Sequence, residues 1–510
     1  MSEPPGEVRV FAEYDRDFTE EFDVAVVGSG PGGAVVAKEL AEAGLRVGLL
    51  EEGPPFTPSD FELDGAVSMA RTMREGGLRM TRGTVMPTMQ GIALGGGSLV
   101  NSAICNRAPD FVLDQWSERF GLEGMTRADL DPHFDAVGSF LGIAETPENV
   151  LGRRNTLFRD GCDKLGYSSE PVSRNVVGCR GSGECFTGCR LRAKRSMDVS
   201  YVPAAIRAGA RVLTSLRVEE VLTDGKRATG LAGRVVAPFT GKPSVRFRVN
   251  ARTVVLAAGC MATPVILGKS GNLANRSGQV GENLQFHPGI AIMGIFPEDV
   301  HPAFGATQGY QSRHFLRDGY KLETLWAPPS LLAVRIPGSG LSFKNRLADF
   351  PRAAIWDAIA SCNRSIGRVR PRWSSMDPVL SWRLHQEDVG ILVKALWTLA
   401  EIFFAAGARS VVSGVNGVPE EFFSLDEARI LQTHPLRDRD LVLGGNHAFC
   451  TTRMHGNPDR GVVDASGKCH DVEDLYIADS GVFPQCPSVK PMWTIMALAH
   501  RTAARIRDRF

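Results

Sequence analysis

No apolar run in the 510 residues reaches the ~18 positions that span a bilayer as a helix. The first twenty residues (MSEPPGEVRVFAEYDRDFTE) carry charge where a secretory leader would carry an apolar core. The richest apolar stretch, Val393 to Ala406, is interrupted by Lys394 and Glu401 and reads as a buried amphipathic helix. An excess of one charge is missing too. The 58 Lys and Arg against 57 Asp and Glu leave a net charge of +1, which provides no basic face for nucleic acid and no acidic tail. Cysteine is sparse, ten residues scattered between Cys105 and Cys486, and this excludes a disulfide-stapled scaffold. There is no internal repeat and no low-complexity tract. What remains is the expectation of a cytoplasmic globular chain with reduced thiols. At roughly 150 residues per domain it divides into two or three, and it is long enough to bury a large core.

Glycine, by contrast, is abundant: 55 residues, about 11% of the chain against roughly 7% on average, and much of the excess is clustered. The apolar strand FDVAVV (22–27) runs straight into Gly28-Ser29-Gly30-Pro31-Gly32-Gly33, then a helical pattern (AVVAKELAEAGL), then a second strand (RVGLLEE). Gly28 permits a tight turn, Gly30 lets the backbone approach a pyrophosphate, and Gly33 allows the helix to pack closely on the strand. The helix N-terminus offers free N–H groups and a positive dipole end to phosphate. Glu51, at the end of the second strand, is placed to accept ribose hydroxyls and would repel a 2′-phosphate. Together these residues read as a dinucleotide site.

A second cluster, Gly91-Ile-Ala-Leu-Gly95-Gly96-Gly97-Ser98-Leu-Val-Asn101, is either a flexible loop or a backbone lying against a flat cofactor. RTVVLAAG (252–259) is another apolar strand, ending in the small residues Ala258 and Gly259. DLYIADSGVFP (474–484) is a strand ending at Asp479 and Ser480. The last helix follows in KPMWTIMALAHRTAARI, with Pro491 in the first turn, where a missing N–H is harmless. The middle of the chain, about 291–440, is irregular and lacks glycine fingerprints.

With these segments in order, the chain resembles the glucose–methanol–choline (GMC) family of FAD-dependent oxidoreductases almost end to end. VVGSGPGGAVVAKELAEAGLRVGLLEEG is similar to the family's FAD-binding unit. GIALGGGSLVN is similar to its first signature, departing at Ile92, and GCMATPVILGKSG to its second, departing at Cys260. VGENLQFHP and the C-terminal NHAFCTTRMHGNP…DLYIADSGVFP…PMWTIMALAHR also match. The resemblance implies an α/β protein with a discontinuous Rossmann-like FAD domain over 20–115, 196–290 and 441–510. A substrate domain on an antiparallel sheet with helices would occupy 116–195 and 291–440. It places Gly28, Gly30, Gly33 and Glu51 on the ADP half, and Gly95, Gly96, Gly97, Ser98 and Asn101 along the pyrophosphate and flavin edge. Val218 is placed at the adenine, with Ala258 and Gly259 also against the cofactor, and Asp479 and Ser480 near the ribityl–pyrophosphate. Pro491 and Met492 would present the last helix N-terminus to the flavin pyrimidine, where its dipole stabilises the reduced ring's anion. Some family members carry a flavin-linked histidine just before the loop asparagine; here that residue is Val100, so the expectation is non-covalent FAD.

The activity implied is oxidation of an alcohol to an aldehyde or ketone, with O2 or a soluble or quinone acceptor taking the electrons. Such chemistry needs a base within reach of the hydroxyl while hydride passes to flavin, and the family's histidine matches His447. The second active-site position, usually Asn or His, is Lys490 here. Lys490 either donates to the substrate oxygen, or marks altered chemistry, or turns outward and leaves its place to Asn446. Phe304, Tyr310, Phe315, Trp326, Leu331, Leu332, Trp356 and Trp382 are either an apolar pocket for a sterol, terpenoid or long-chain alcohol, or ordinary core. A sugar or aminosugar alcohol, and a non-redox lyase on the same scaffold, stay open. Cys179, Cys185 and Cys189 lack a fourth ligand at motif spacing; similar segments occur in family members without a metal, and packed free thiols are expected, with a local disulfide as the alternative. His287 is expected to be structural, His434 and His455 peripheral, and RSIGRVRPRW (364–373) a solvated loop.

Overall fold

The computed structural model describes residues 7–332 and 336–510; of the expected pocket residues, Leu331 and Leu332 have side chains outside the described set. Among the described residues the chain builds two large sheets, with a cleft between them, and two small ones. In the first, Phe18–Val27 lies between Val47–Leu50 and Pro243–Leu256, all parallel, with Val27 paired to Leu50 on one side and Leu256 on the other. Leu475–Ile477 runs parallel to the far end of Pro243–Leu256, and Arg227–Val236 and Leu216–Asp224 extend the sheet antiparallel. The runs VAVV, VGLL and VVL are buried throughout, as central parallel strands covered by helices must be. Helices Pro31–Glu42 and Met492–Arg507 pack against each other over this sheet. Four parallel strands thus end side by side at Val27, Leu50, Leu256 and Ile477. Ligands of such sheets bind in the crevice at those carboxyl ends.

The second sheet is mainly antiparallel. Its core order is Gly444–Phe449, Gln285–Ile295, Ala353–Ala360, Tyr320–Leu325, Tyr310–Ser312. Cross-strand partners Ile292, Trp356 and Thr324 share one face, and Ala291, Asp357 and Glu323 the other. The first face packs on helix Gln386–Ala406, whose Leu392, Leu396, Leu399 and Phe403 are buried with Trp356, Ile292 and Leu322. That helix is long and apolar enough to cross a membrane by composition alone. One of its faces covers the sheet, and Lys394 on its exposed side pairs with Asp318 at 2.7 Å. Residues 320–325 (YKLETL) alternate apolar and polar as a sheet with one wet face would, yet both faces are inside the protein. The polar face is turned toward the first sheet and its cleft.

Three expected boundaries shift. Strands Gln285–Ile295 and Gly444–Phe449 belong to the second sheet, so 290 and 441 do not divide the domains there. Helices Asp110–Phe120 and Arg127–Leu141 bury Trp116, Leu130 and Phe134 in the core of the first sheet, so that domain runs on to about 141. An amphipathic stripe names a buried face without naming what it faces, and for this reason 116–141 could not be assigned from sequence.

The aromatic residues are also redistributed. Tyr310, Phe315, Trp356 and Trp382 lie in the core between sheet and helix, and Phe304 is half exposed. Among the described residues of that expected set, Trp326 alone joins the apolar cluster on the cleft side, with Met293, Ile355 and Val412. Trp356 instead stacks on Phe403, ring centroids 3.7 Å apart, and its indole N–H donates to the Arg154 carbonyl. Phe403→Ala should lower unfolding free energy by about 3–5 kcal/mol, measured by denaturant titration, because Trp356 cannot collapse into the void.

Candidate active site

The glycine turn is built as its sequence requires. Gly28 has φ +95°, and a Cβ there would meet the Ala257 carbonyl oxygen at 2.4 Å. A Cβ on Gly33 would lie 1.9 Å from the Gly28 carbonyl oxygen, and one on Gly32 1.7 Å from that of Ala478. Gly30 differs: a Cβ there meets nothing within 4 Å, so its backbone faces open cleft at the N-terminus of helix Pro31–Glu42. The second glycine cluster closes on the first. A Cβ on Gly96 would fall 2.8 Å from the Gly30 Cα, whereas Gly97 opens onto the cleft as Gly30 does.

Buried Glu51 ties the two clusters together. It accepts from the Ser29 amide and hydroxyl and from the Gly53 amide, and Ser29 Oγ in turn accepts from the Gly95 amide. Burial raises the Glu51 carboxyl. Val218, Ala258, Gly259, Asp479 and Ser480 complete the cleft wall. Asp479, also raised by burial, accepts from the Gly259 amide, the Thr263 hydroxyl and the Gly481 amide.

At the far end of the cleft the second sheet has a bulge. Gly445 pairs with Pro288 and Ala448 with Phe286, so Asn446 and His447 together oppose the single residue His287. Such bulges re-aim side chains beside functional sites. Asn446 is exposed and lines the cleft with Ala448. The half-buried His447 ring stands nearly perpendicular to that of His287, centroids 5.5 Å apart. Both nitrogens of His287 are buried without a hydrogen-bond partner. Burial first, and Lys490 next, push His287 down to about 3; the same two causes, with His287 and Lys321, hold His447 well below the ordinary imidazole range. Both rings are therefore neutral at physiological pH.

Lys490 enters this cluster from the segment before the last helix. It is nearly buried and its Nζ lies 2.6 Å from Glu323 Oε1, so the outward-turned orientation is ruled out. Glu323 Oε2 accepts from Lys321 Nζ at 2.9 Å, and Lys321 also donates to Asn106 Oδ1. Burial opposes the Glu323 charge, but the two lysines outweigh it and hold the carboxyl well below the carboxylate range.

Comparison with known proteins decides the family. The sequence pattern described as GMC oxidoreductase matches residues 69–289 for its N-terminal part and 364–499 for its C-terminal part, and that of an FAD binding domain matches 21–78. An uncharacterised GMC-type oxidoreductase of Mycobacterium tuberculosis is 33% identical over 97% of this chain and 77% of its own length. The chain is a GMC oxidoreductase. A long-chain-alcohol oxidase of Arabidopsis thaliana is 28% identical over 95% of this chain and 67% of the relative. Among solved structures, pyridoxine 4-oxidase from Mesorbium loti superposes with TM-score 0.71 at 19% identity, covering 95% of this chain and 98% of the other. Formate oxidase of Aspergillus oryzae gives 0.72 at 17%, covering 96% and 99%.

FAD is thus the cofactor of this GMC oxidoreductase, and the cleft suits a phosphate-bearing group: two glycines open to it, with a helix N-terminus behind them. Not every residue expected at the cofactor lines the cleft. The Ser98 hydroxyl turns inward to the Gly95 carbonyl and Met197 amide. Asn101 Oδ1 accepts from the Ala103 amide, and its Nδ2 lies 3.0 Å from Met492 Sδ, beside Pro491 at the start of the last helix. Lys321 and Glu323 went unnoticed in the sequence, as did Lys194. The buried Lys194 Nζ donates to the Leu99, Asn101 and Cys185 carbonyls and so holds the loop that follows the second glycine cluster. Burial lowers it to about 8. Cys179, Cys185 and Cys189 are unpaired around a small cavity, with Cys185 Sγ accepting from Arg174.

Two measurements probe this geometry. Gly30→Ala should match the melting temperature of the FAD-free parent yet lose FAD on gel filtration, because its methyl projects only into the cleft; Gly32→Ala should fail to fold. For His287 the folded value lies below the unfolded 6.5, so the unfolded state binds the extra proton and stability falls as pH drops from 6.5 toward 3. The slope is at most about 1.4 kcal/mol per pH unit for one histidine. Chemical denaturation across this range should show a shallower slope in His287→Phe.

Proposed function

We propose that this protein oxidises the hydroxyl of a bulky apolar alcohol to an aldehyde or ketone, with His447 as base and Lys490 donating to the substrate oxygen. One observation carries the reading: the cleft-side face of the second sheet is divided. Its polar half holds Lys321, Glu323 and Asp357 beside His447 and Lys490. Its apolar half holds Met293, Leu325, Ile355 and Val412, which line a cavity with Ile336 and Pro337. A hydroxyl is held at the first half while a hydrocarbon body lies along the second. The names of the plant relatives, long-chain-alcohol oxidases, favour the same substrate class, and dioxygen is the acceptor we propose.

Bound in the cleft, FAD supplies the two-electron acceptor. The chain's own residues handle the proton and the oxygen. A neutral His447 nitrogen accepts the hydroxyl proton, and the same burial that keeps it neutral makes it available below pH 7. Lys490 is ion-paired with Glu323, and its N–H donors are there for an oxygen that gains negative charge. Val100 stands where a linking histidine would be, and this supports non-covalent FAD.

Anaerobic mixing with a C10–C16 primary alcohol or a sterol should bleach the flavin of the purified enzyme, whereas glucose and glucosamine should not. His447→Ala should slow bleaching roughly 10²–10⁴-fold while retaining FAD. Bleaching by the sugars alone would overturn the substrate class, and unaltered bleaching in His447→Ala would remove the base.

A further inference from the structure

A buried carboxylate between two buried ammonium groups is costly to assemble and is retained only where its geometry is well satisfied. Here that geometry is anchored from outside the active site. Lys321 Nζ donates to Asn106 Oδ1 at 3.2 Å, Asn106 Nδ2 to Gln311 Oε1 at 3.3 Å, and Gln311 Nε2 to Glu170 Oε1 at 2.9 Å, where the chain meets a solvent-open groove. Glu323 and Lys321 are two apart on one strand and project from the same face; Gln311 is the cross-strand partner of Glu323 on one side and Asp357 on the other. The sheet register therefore fixes where the Glu323 carboxylate stands, independently of Lys490. Lys490, on a segment with no ladder of its own, reaches Glu323 from outside the sheet.

We propose that Glu323 is the positioning residue for Lys490: its carboxylate draws the lysine under the sheet and holds its Nζ beside His447. This rests on the assignment of Lys490 to the substrate oxygen. The titratable and charged groups around Glu323 are Lys321 on its own strand, Asp357 on the neighbouring strand, Lys490, and the two imidazoles His287 and His447. Without the Glu323 carboxylate, Lys321 and Lys490 face each other with nothing between them, and Lys490, which enters from outside the sheet, is the one that withdraws.

The test is Glu323→Gln, with two readouts. In the first, flavin reduction by a long-chain alcohol should be roughly 100-fold slower at saturating substrate with KM little changed, and combining the change with Lys490→Met should cost no more than Lys490→Met alone. The second readout needs no substrate: in a crystal structure of the FAD-loaded variant, Lys490 Nζ should have left its place beside residue 323. An unmoved Lys490, or a loss of rate additive with that of Lys490→Met, would overturn the proposal. Should Glu323→Gln not fold, Glu323→Asp carries the test. Its withdrawn carboxylate should lower kcat with KM little changed, and parent kinetics would contradict the inference. If His447→Ala retains full flavin reduction, the underlying assignment of the site fails instead, whatever Glu323→Gln does.

Discussion

The ion cluster of Lys321, Glu323 and Lys490 is the constraint around which the second sheet is arranged. Charged side chains on a strand normally face water, and these face the interior because a second domain covers them. That cover is possible only if each charge has a partner, since an unpaired buried ion costs several kcal/mol. The same charges act on the two imidazoles. Two ammonium groups near His287 and His447 add to burial and keep both rings neutral. A neutral ring is the form that can accept a proton, as the proposed role of His447 requires.

The opposite wall of the cleft depends on the absence of side chains. Gly28, Gly32 and Gly33 let helix Pro31–Glu42 approach the ends of three strands, and Gly96 lets the second glycine cluster rest on Gly30. Glu51 and Ser29 lock that contact from below, and Lys194 fixes the next stretch of loop through carbonyls. One wall is therefore bare backbone, suited to a phosphate-bearing cofactor, and the other is rich in side chains, suited to a substrate. The division of labour between the sheets follows from which residues each can place at the cleft.

Much of this was legible in the sequence. The glycine spacing, Glu51, Asp479 and the late helix carry local rules, and local rules survive folding. His447 was singled out through family likeness alone, because a histidine in GNHAF has no pattern of its own. The ion cluster was not legible. YKLETL has the alternation of a half-wet strand, and no local feature reports that its polar face lies beneath another domain. The aromatic residues misled for the related reason that Trp356 faces the far side of the sheet, one residue out of phase with Asp357 and the cleft. The partner of Lys490 lies 167 positions away in sequence, a distance over which spacing carries no information.

The central claim is that a buried charge cluster holds a neutral imidazole ready at the flavin site. The most direct measurement is the ¹⁵N NMR spectrum of FAD-loaded protein labelled at histidine, followed from pH 8 to 5, with His447 assigned by its substitution. The account predicts that the His447 ring nitrogens keep the distinct shifts of a neutral tautomer across the whole range. Merging toward imidazolium shifts with a midpoint near 6.5 would contradict it.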